Sequence, residues 1–129
     1  MISVGIASVW AGLVHIFMGP EIALSIGWPP DNPFQTEVGI ANISFGILGI
    51  ICLKFRDTFW LATILGYGIF LFGAGIVHID QIITKQDLAI NNAGPILYSD
   101  LIYPVILVAL YGLIQYLRRR EHTPPELSR

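Results

Sequence analysis

The chain has 129 residues, of which 54% are hydrophobic and only 12% are charged. A soluble domain carries about 25% charged residues, so this composition argues against a water-soluble protein. The formal net charge of −2 at pH 7 provides no basic surface, which excludes a nucleic-acid-binding protein. The single cysteine, Cys52, excludes an internal disulfide and a cysteine-based zinc cluster.

Four apolar stretches are each long enough to cross a bilayer as a helix, which takes roughly 20 residues. They are residues 2–19, 33–53, 58–83 and 95–117. The first has no Lys or Arg before its apolar run and no Ala-x-Ala site after it, so we expect a retained span and not a signal peptide. The sequence therefore predicts an all-α fold: a four-transmembrane-helix bundle in one domain over residues 1–120, with a polar cytoplasmic tail over residues 121–129.

The segment between the first two stretches contains the signals that end one helix and start the next. Gly19 followed by Pro20 is a plausible end for the first helix. Residues 27–33, GWPPDNP, are too rich in proline for a helix, and Trp28 among them suits the lipid headgroup level. Asn32 and Gln35 have the spacing of a capping box, which predicts the start of the second span.

The positive charges predict the orientation in the membrane. Six of the seven lie on one side if both termini share a compartment: Lys54, Arg56, Arg118, Arg119, Arg120 and Arg129, with Lys85 alone on the other side. Cytoplasmic loops of membrane proteins carry such an excess of Lys and Arg. We therefore expect both termini in the cytoplasm and the chain in a bacterial or archaeal cytoplasmic (inner) membrane.

An internal repeat is suggested when the sequence is shifted by 63 residues. His15 then aligns with His78, and Glu37 aligns with Asp100 without a gap. Ionisable residues are rare within membrane spans, so these matches carry more weight than the aliphatic ones around them. The pattern predicts two parallel helical hairpins, the first from spans one and two and the second from spans three and four.

These four residues are the main candidates for a functional site. His15 and Glu37 each lie about one turn, roughly 6 Å, from the same end of their spans, so we expect them to meet. His78 and Asp100 repeat this arrangement in the second hairpin. Such a set suits a divalent metal or a proton site, although no H-E-x-x-H motif is present. Each pair equally suits a structural hydrogen bond that satisfies polar groups in a low-dielectric layer. Both interpretations remain open.

Three further polar residues are candidates for contacts with a ligand. Asn42 lies inside the hydrocarbon, where an amide either bonds to a neighbouring helix or contacts a headgroup or a quinone carbonyl. Tyr98 and Gln81 lie close in sequence to Asp100 and His78. No phosphate-binding loop, nucleophile elbow or Ser-His-Asp triad is recognisable, so the sequence identifies no catalytic residue.

The chain resembles an uncharacterised family of small bacterial and archaeal four-span membrane proteins, a domain of unknown function. The matching motifs are Gly-Trp-Pro, Pro-Phe-Gln, a Glu, Ala-Asn, a His, Asn-Ala-Gly-Pro and Leu-Tyr-x-Asp. The residues that carry them are Gly27, Trp28, Pro29, Pro33, Phe34, Gln35, Glu37, Ala41, Asn42, His78, Asn92, Ala93, Gly94, Pro95, Leu97, Tyr98 and Asp100. More loosely, the chain is similar to DoxX-type four-span proteins, some of which are linked to quinone and thiol redox chemistry. The resemblance implies a fold and no specific activity.

Three functions follow from these observations. The first is an integral membrane protein whose His and carboxylate cluster binds a small ligand, a metal or a partner subunit. The second is a quinone-linked redox protein, or its membrane anchor, with the two histidines as proton carriers or ligands. The third is a subunit of an oligomeric transporter or channel, because four short spans leave little room for a path within one chain. The expected partners are the lipid bilayer and either further copies of the chain or a larger membrane complex.

Overall fold

In a computed structural model, the described part of the chain, residues 1–30 and 32–121, contains five helices and no strand. The helices are α1 (Ile2–Phe17), α2 (Gly19–Ile26), α3 (Phe34–Ile51), α4 (Thr58–Lys85) and α5 (Pro95–Glu121). The predicted all-α fold is therefore confirmed for these residues. Helix α5 ends at Glu121, and residues 122–129 lie outside the described residues, so the polar tail stays a prediction.

The number of membrane spans differs from a simple count of four. Helices α3, α4 and α5 are each long and apolar enough to cross a membrane. Helices α1 and α2 meet that criterion only as a pair, which is bent by 98° at Met18. The described chain thus has three candidate spans, or four if the bent pair counts as one. These helices indicate an integral membrane protein.

Helix α2 is not predicted by the sequence, in which Gly19 and Pro20 indicate the end of the first span. Pro20 lies in the first turn of α2, where its missing N–H costs no hydrogen bond. Gly27 ends the helix in a left-handed conformation with φ of 85°. The N–H of Trp28 then donates to the carbonyl of Ala23 at 2.9 Å. A short helix therefore turns aside at the end of α1, where the sequence predicts only the end of the first span.

The turn before α3 is only partly as predicted. The described residues of 27–33 form no helix, as the prolines require. The N-cap of α3 is Pro33, not Asn32, although Oδ1 of Asn32 accepts the N–H of Phe34 at 3.0 Å just before the helix. The reciprocal bond of a capping box is absent, since the side chain of Gln35 turns towards His15. Trp28 packs on Phe34 and His78 at centroid distances of 5.3 and 6.3 Å. Its place at the headgroup level stays a prediction.

Helices α1 and α3 form the first hairpin, and glycines bring their backbones into contact. A Cβ atom added to Gly12 would lie 2.6 Å from the carbonyl oxygen of Gly39, and one added to Gly49 would lie 2.6 Å from the backbone nitrogen of Gly5. Small residues allow such close approach in membrane bundles, where dispersion contacts stabilise helix pairs. The glycines therefore determine how closely α1 and α3 pack.

Helices α4 and α5 form the second hairpin, which packs extensively within itself and only slightly on the first. At one end the hairpins meet in an apolar cluster of buried residues: Val4, Ile64, Tyr67 and Leu107. At the other end Asn91, in the α4–α5 loop, donates its backbone N–H to the carbonyl of Ser25 at 3.2 Å and its side-chain amide to the hydroxyl of Ser25 at 3.0 Å. The internal repeat stays a prediction.

The glycine contact yields a testable prediction. We expect Gly12→Ala to lower the free energy of unfolding by about 1 to 3 kcal/mol, because the added methyl group would overlap the backbone of α3. Gly73→Ala is the matched control, since nothing lies within 4 Å of its added Cβ. Alanine is the better helix former, so this control should be neutral or stabilising by up to about 1 kcal/mol.

Stability can be measured by circular dichroism during titration of detergent micelles with sodium dodecyl sulfate. Equal stability of the two variants would contradict the close packing of α1 on α3.

Candidate functional site

A cavity of about 840 Å³ lies between the two hairpins. Residues of all five helices line it or flank it, and most of its wall is apolar. The aliphatic and small wall residues include Ala7, Ala11, Leu71, Ala74, Ile102 and Ile106. Sites for small molecules in proteins span about 300 to 1,000 Å³ and have mostly apolar linings with a few polar groups, so this cavity is the main candidate site.

Five of the seven predicted site residues line this cavity. They are His15, Asn42, His78, Tyr98 and Asp100. Gln81 lies instead on a separate outer groove with Lys85 and Asp87. Glu37 lines neither the cavity nor this groove, and its side chain is exposed.

The structure does not bring Glu37 to His15. The partner of His15 is Gln35, whose Oε1 lies 2.7 Å from the histidine Nδ1. The buried face of α3 consists of residues spaced by three and four: Gln35, Gly39, Asn42, Gly46 and Gly49. Glu37 lies two positions after Gln35, which places it on the opposite side of a helix with 3.6 residues per turn. The expected His15–Glu37 pair is therefore replaced by a histidine–amide hydrogen bond.

The second histidine is held in a buried hydrogen-bonded chain. The Nδ1 of His78 lies 2.7 Å from Oδ1 of Asn92, which is fully buried. The Nδ2 of Asn92 donates to the backbone carbonyl of Asp87 at 2.7 Å, and this bond fixes which end of the amide faces the histidine. A carbonyl oxygen only accepts, so Nδ1 of His78 must carry the proton.

The other nitrogen of His78 faces a carboxylate. Its Nε2 lies 3.8 Å from Oδ2 of Asp100, and both residues are buried. This separation is longer than a hydrogen bond, so the two side chains face each other without a direct bond between them. Both Nε2 and the carboxylate are groups that can hydrogen-bond to a molecule in the cavity.

Two buried N–H groups in the cavity lining lack an acceptor. Within the described residues, neither Nε2 of Gln35 nor Nε1 of Trp28 has a hydrogen-bond partner. Leaving such a group unsatisfied costs about 1 to 3 kcal/mol. Together with His15, His78 and Asp100, these two residues form what we call the polar end of the cavity. It contains two buried donors for which the described chain supplies no acceptor.

Asn42 makes its hydrogen bond within its own helix. Its side-chain amide donates to the carbonyl of Val38 at 3.0 Å, so this bond does not join two helices. The residue is 5% exposed and lies on the cavity wall. A contact with a ligand carbonyl therefore stays a prediction for this residue.

The expected metal site is not assembled. No group of three or more His, Cys, Asp or Glu side chains among the described residues could hold a metal ion. The physical reason is that Glu37 faces away from the cavity, while the amides of Gln35 and Asn92 take up one nitrogen of each histidine.

Gln35 and Trp28 of the polar end, and Asn92 behind His78, have contacts that sequence reasoning does not give them. From the sequence, Gln35 is expected as a helix cap, Trp28 as a residue at the headgroup level, and Asn92 as part of a family motif, with Gln35 and Asn92 among the polar residues around the histidines. For Gln35 a signal exists, because it shares the three-and-four spacing of the glycines that face α1. The roles of Trp28 and Asn92 depend on how two loops fold, and local sequence carries no comparable signal for them.

Comparison with known proteins identifies the family of this chain but no activity. The chain belongs to a family of unknown function, DUF6790, whose model matches residues 1–121. No curated protein and no solved structure matches the chain significantly.

The hydrogen bonds that link His78 to Asn92, and Asn92 to the carbonyl of Asp87, predict the tautomer of the His78 imidazole. We expect the imidazole ¹⁵N chemical shifts of the protein in micelles to show a protonated Nδ1 on His78, because Asn92 can only accept there. The Asn92→Leu variant removes this acceptor and should release the ring, so that the Nε2-protonated neutral form becomes populated. The His78→Gln variant assigns the signals. Finding the neutral Nε2-protonated form in the unchanged protein would contradict this arrangement.

Proposed function

We propose that this protein binds a small amphipathic molecule, taken up from the bilayer, in the cavity between its two hairpins. The observation that carries the proposal is the cavity of about 840 Å³, which has apolar walls and unsatisfied N–H groups at its polar end. An aliphatic body would gain dispersion contacts along the walls, and a polar head would accept the buried hydrogen bonds. This proposal gives a ligand site to the polar cluster first recognised in the sequence.

The gap between α1 and α5 supports entry from the membrane. Within the described residues, the backbone of α1 packs on α2 and α3 and that of α5 packs on α4, while α1 and α5 meet through side chains. These contacts are the apolar cluster that contains Val4 and Leu107 and, beside it, an exposed hydrogen bond between the hydroxyls of Ser3 and Tyr103 at 3.2 Å. Ser3 and Tyr103 both line the cavity. A lipid-soluble molecule therefore meets side chains, and no packed backbone, between α1 and α5.

The positive charges support an orientation with the polar end of the cavity near the extracytoplasmic surface. Lys54, Arg56 and the cluster Arg118–Arg120 lie at the end where α3 joins α4, and Arg118 pairs with Asp57 there at 2.5 Å. The positive-inside rule places this end in the cytoplasm. Both termini would then be cytoplasmic, in a bacterial or archaeal inner membrane.

A second candidate function is that of a quinone-linked redox protein or an anchor subunit of one. Its supporting observation is that two groups able to carry a proton, His78 and Asp100, face each other on the wall of a cavity whose lining also contains unsatisfied N–H groups. Quinone carbonyls accept hydrogen bonds from N–H groups.

A transporter has less support, because an apolar cluster lies on the side of the cavity away from the polar end, where a path through the protein would have to continue. Tyr67 lines the cavity and belongs to this cluster together with Val4, Ile64 and Leu107.

Filling the cavity should displace the bound molecule. Ala74 lies on the wall, so we expect Ala74→Phe to occupy the space that the ligand needs. The matched control is Ala62→Phe, because Ala62 lies on the same helix, is exposed and does not line the cavity. Purified proteins would be extracted with organic solvent, and the extracts quantified by mass spectrometry per mole of chain.

The proposal predicts a molecule that is retained by the unchanged protein and by Ala62→Phe but is largely lost from a folded Ala74→Phe variant. The same extract from all three proteins would contradict binding in the cavity.

A further inference from the structure

We infer that the head group of the bound molecule is electrically neutral and carries a hydroxyl or carbonyl oxygen. This inference rests on the proposed function and specifies its ligand class. It follows from the charged groups that line the cavity and from the polar groups there that have no hydrogen-bond partner.

Among the described residues, the cavity lining has no permanent positive charge. No described Lys, Arg or Glu lines it, and its described acidic and basic groups are His15, His78 and Asp100. Two of these, His78 and Asp100, face each other across 3.8 Å. An anionic head would lie beside a carboxylate without a permanent cation, and an unpaired charge is costly in a low-dielectric site. A cationic head would have to compete with His78 for the one carboxylate.

The nearest lysine lies outside the cavity. Lys85 is on the separate outer groove with Gln81 and Asp87, and Trp28 and Val77 line both spaces. These two side chains therefore form the partition between the cavity and the groove. A phosphate or carboxylate could reach Lys85 only beyond the partition, away from the polar end.

The open hydrogen bonds favour an oxygen that accepts, or one that both accepts and donates. Nε2 of Gln35 and Nε1 of Trp28 are donors without acceptors. His78 and Asp100 face each other at 3.8 Å, which is more than hydrogen-bond distance. A hydroxyl can both accept and donate between two such groups, and a carbonyl can accept from a donor.

The test compares two probes that share an isoprenoid tail and differ in the head: farnesol and farnesyl phosphate. The chain has three tryptophans, so the double variant Trp10→Phe, Trp60→Phe leaves Trp28 as the fluorescent reporter at the polar end. Each probe would be titrated into this protein in lipid nanodiscs. We expect a saturable change of Trp28 fluorescence with farnesol and an affinity at least about tenfold weaker for farnesyl phosphate, which corresponds to about 1.4 kcal/mol.

Two further variants connect the preference to the polar end. Replacing the pair by His78→Leu with Asp100→Leu keeps the core apolar and removes its hydrogen bonds, so farnesol affinity should fall about tenfold. Glu37→Gln removes a carboxylate that lies outside the cavity and should leave both affinities unchanged.

The outcomes separate this inference from the proposed function. Farnesyl phosphate binding as tightly as farnesol, or more tightly, would overturn the neutral head group and leave binding in the cavity intact. Saturable binding of neither probe, together with identical extracts from the Ala74→Phe and Ala62→Phe variants, would overturn both proposals.

Discussion

The direct contact between the backbones of α1 and α3 is the constraint on which the remaining structure depends. Glycines occupy the shared face of both helices at Gly5, Gly12, Gly39, Gly46 and Gly49. Within a bilayer no hydrophobic force drives helices together, so close packing of this kind must hold a hairpin. Because each hairpin is packed mainly within itself, the two hairpins touch over only a small area, and the cavity occupies the space between them.

The polar end shows how two similar histidines are held in different ways. In each half, Nδ1 of a histidine lies 2.7 Å from an amide oxygen. The amide is on α3 for His15 and in the α4–α5 loop for His78. Under the shift of 63 residues Gln35 aligns with Tyr98, so the two amides are not equivalent positions. Only His78 also faces a carboxylate, which makes it the chemically distinct site of the two.

Much of the fold could be predicted from the sequence, because long apolar stretches and prolines act locally. The limits of α3, α4 and α5 follow the predicted spans within a few residues. The bend at Met18 and the fold of α2 could not be predicted, since they depend on contacts with the α4–α5 loop such as the bonds between Ser25 and Asn91.

From the sequence, the site residues are paired by their distance from the helix ends. That distance alone does not decide which side chains meet. His15 and Glu37 lie at similar distances from the helix ends, yet the glycine face of α3 directs Gln35 towards α1 and Glu37 away from it. Asp100 shares the buried face of α5 with Leu97, Pro104 and Leu107, and it therefore reaches His78. The face of a helix, set by its packing, decides which polar residues can meet.

The most direct test is an experimental structure of the protein in a lipid nanodisc at a resolution that shows side chains. Binding between the hairpins predicts elongated non-protein density within the cavity, with one end beside His78 and Gln35. Hairpins that close on each other, with α1 packed against α5 and no space between them, would contradict the existence of the site.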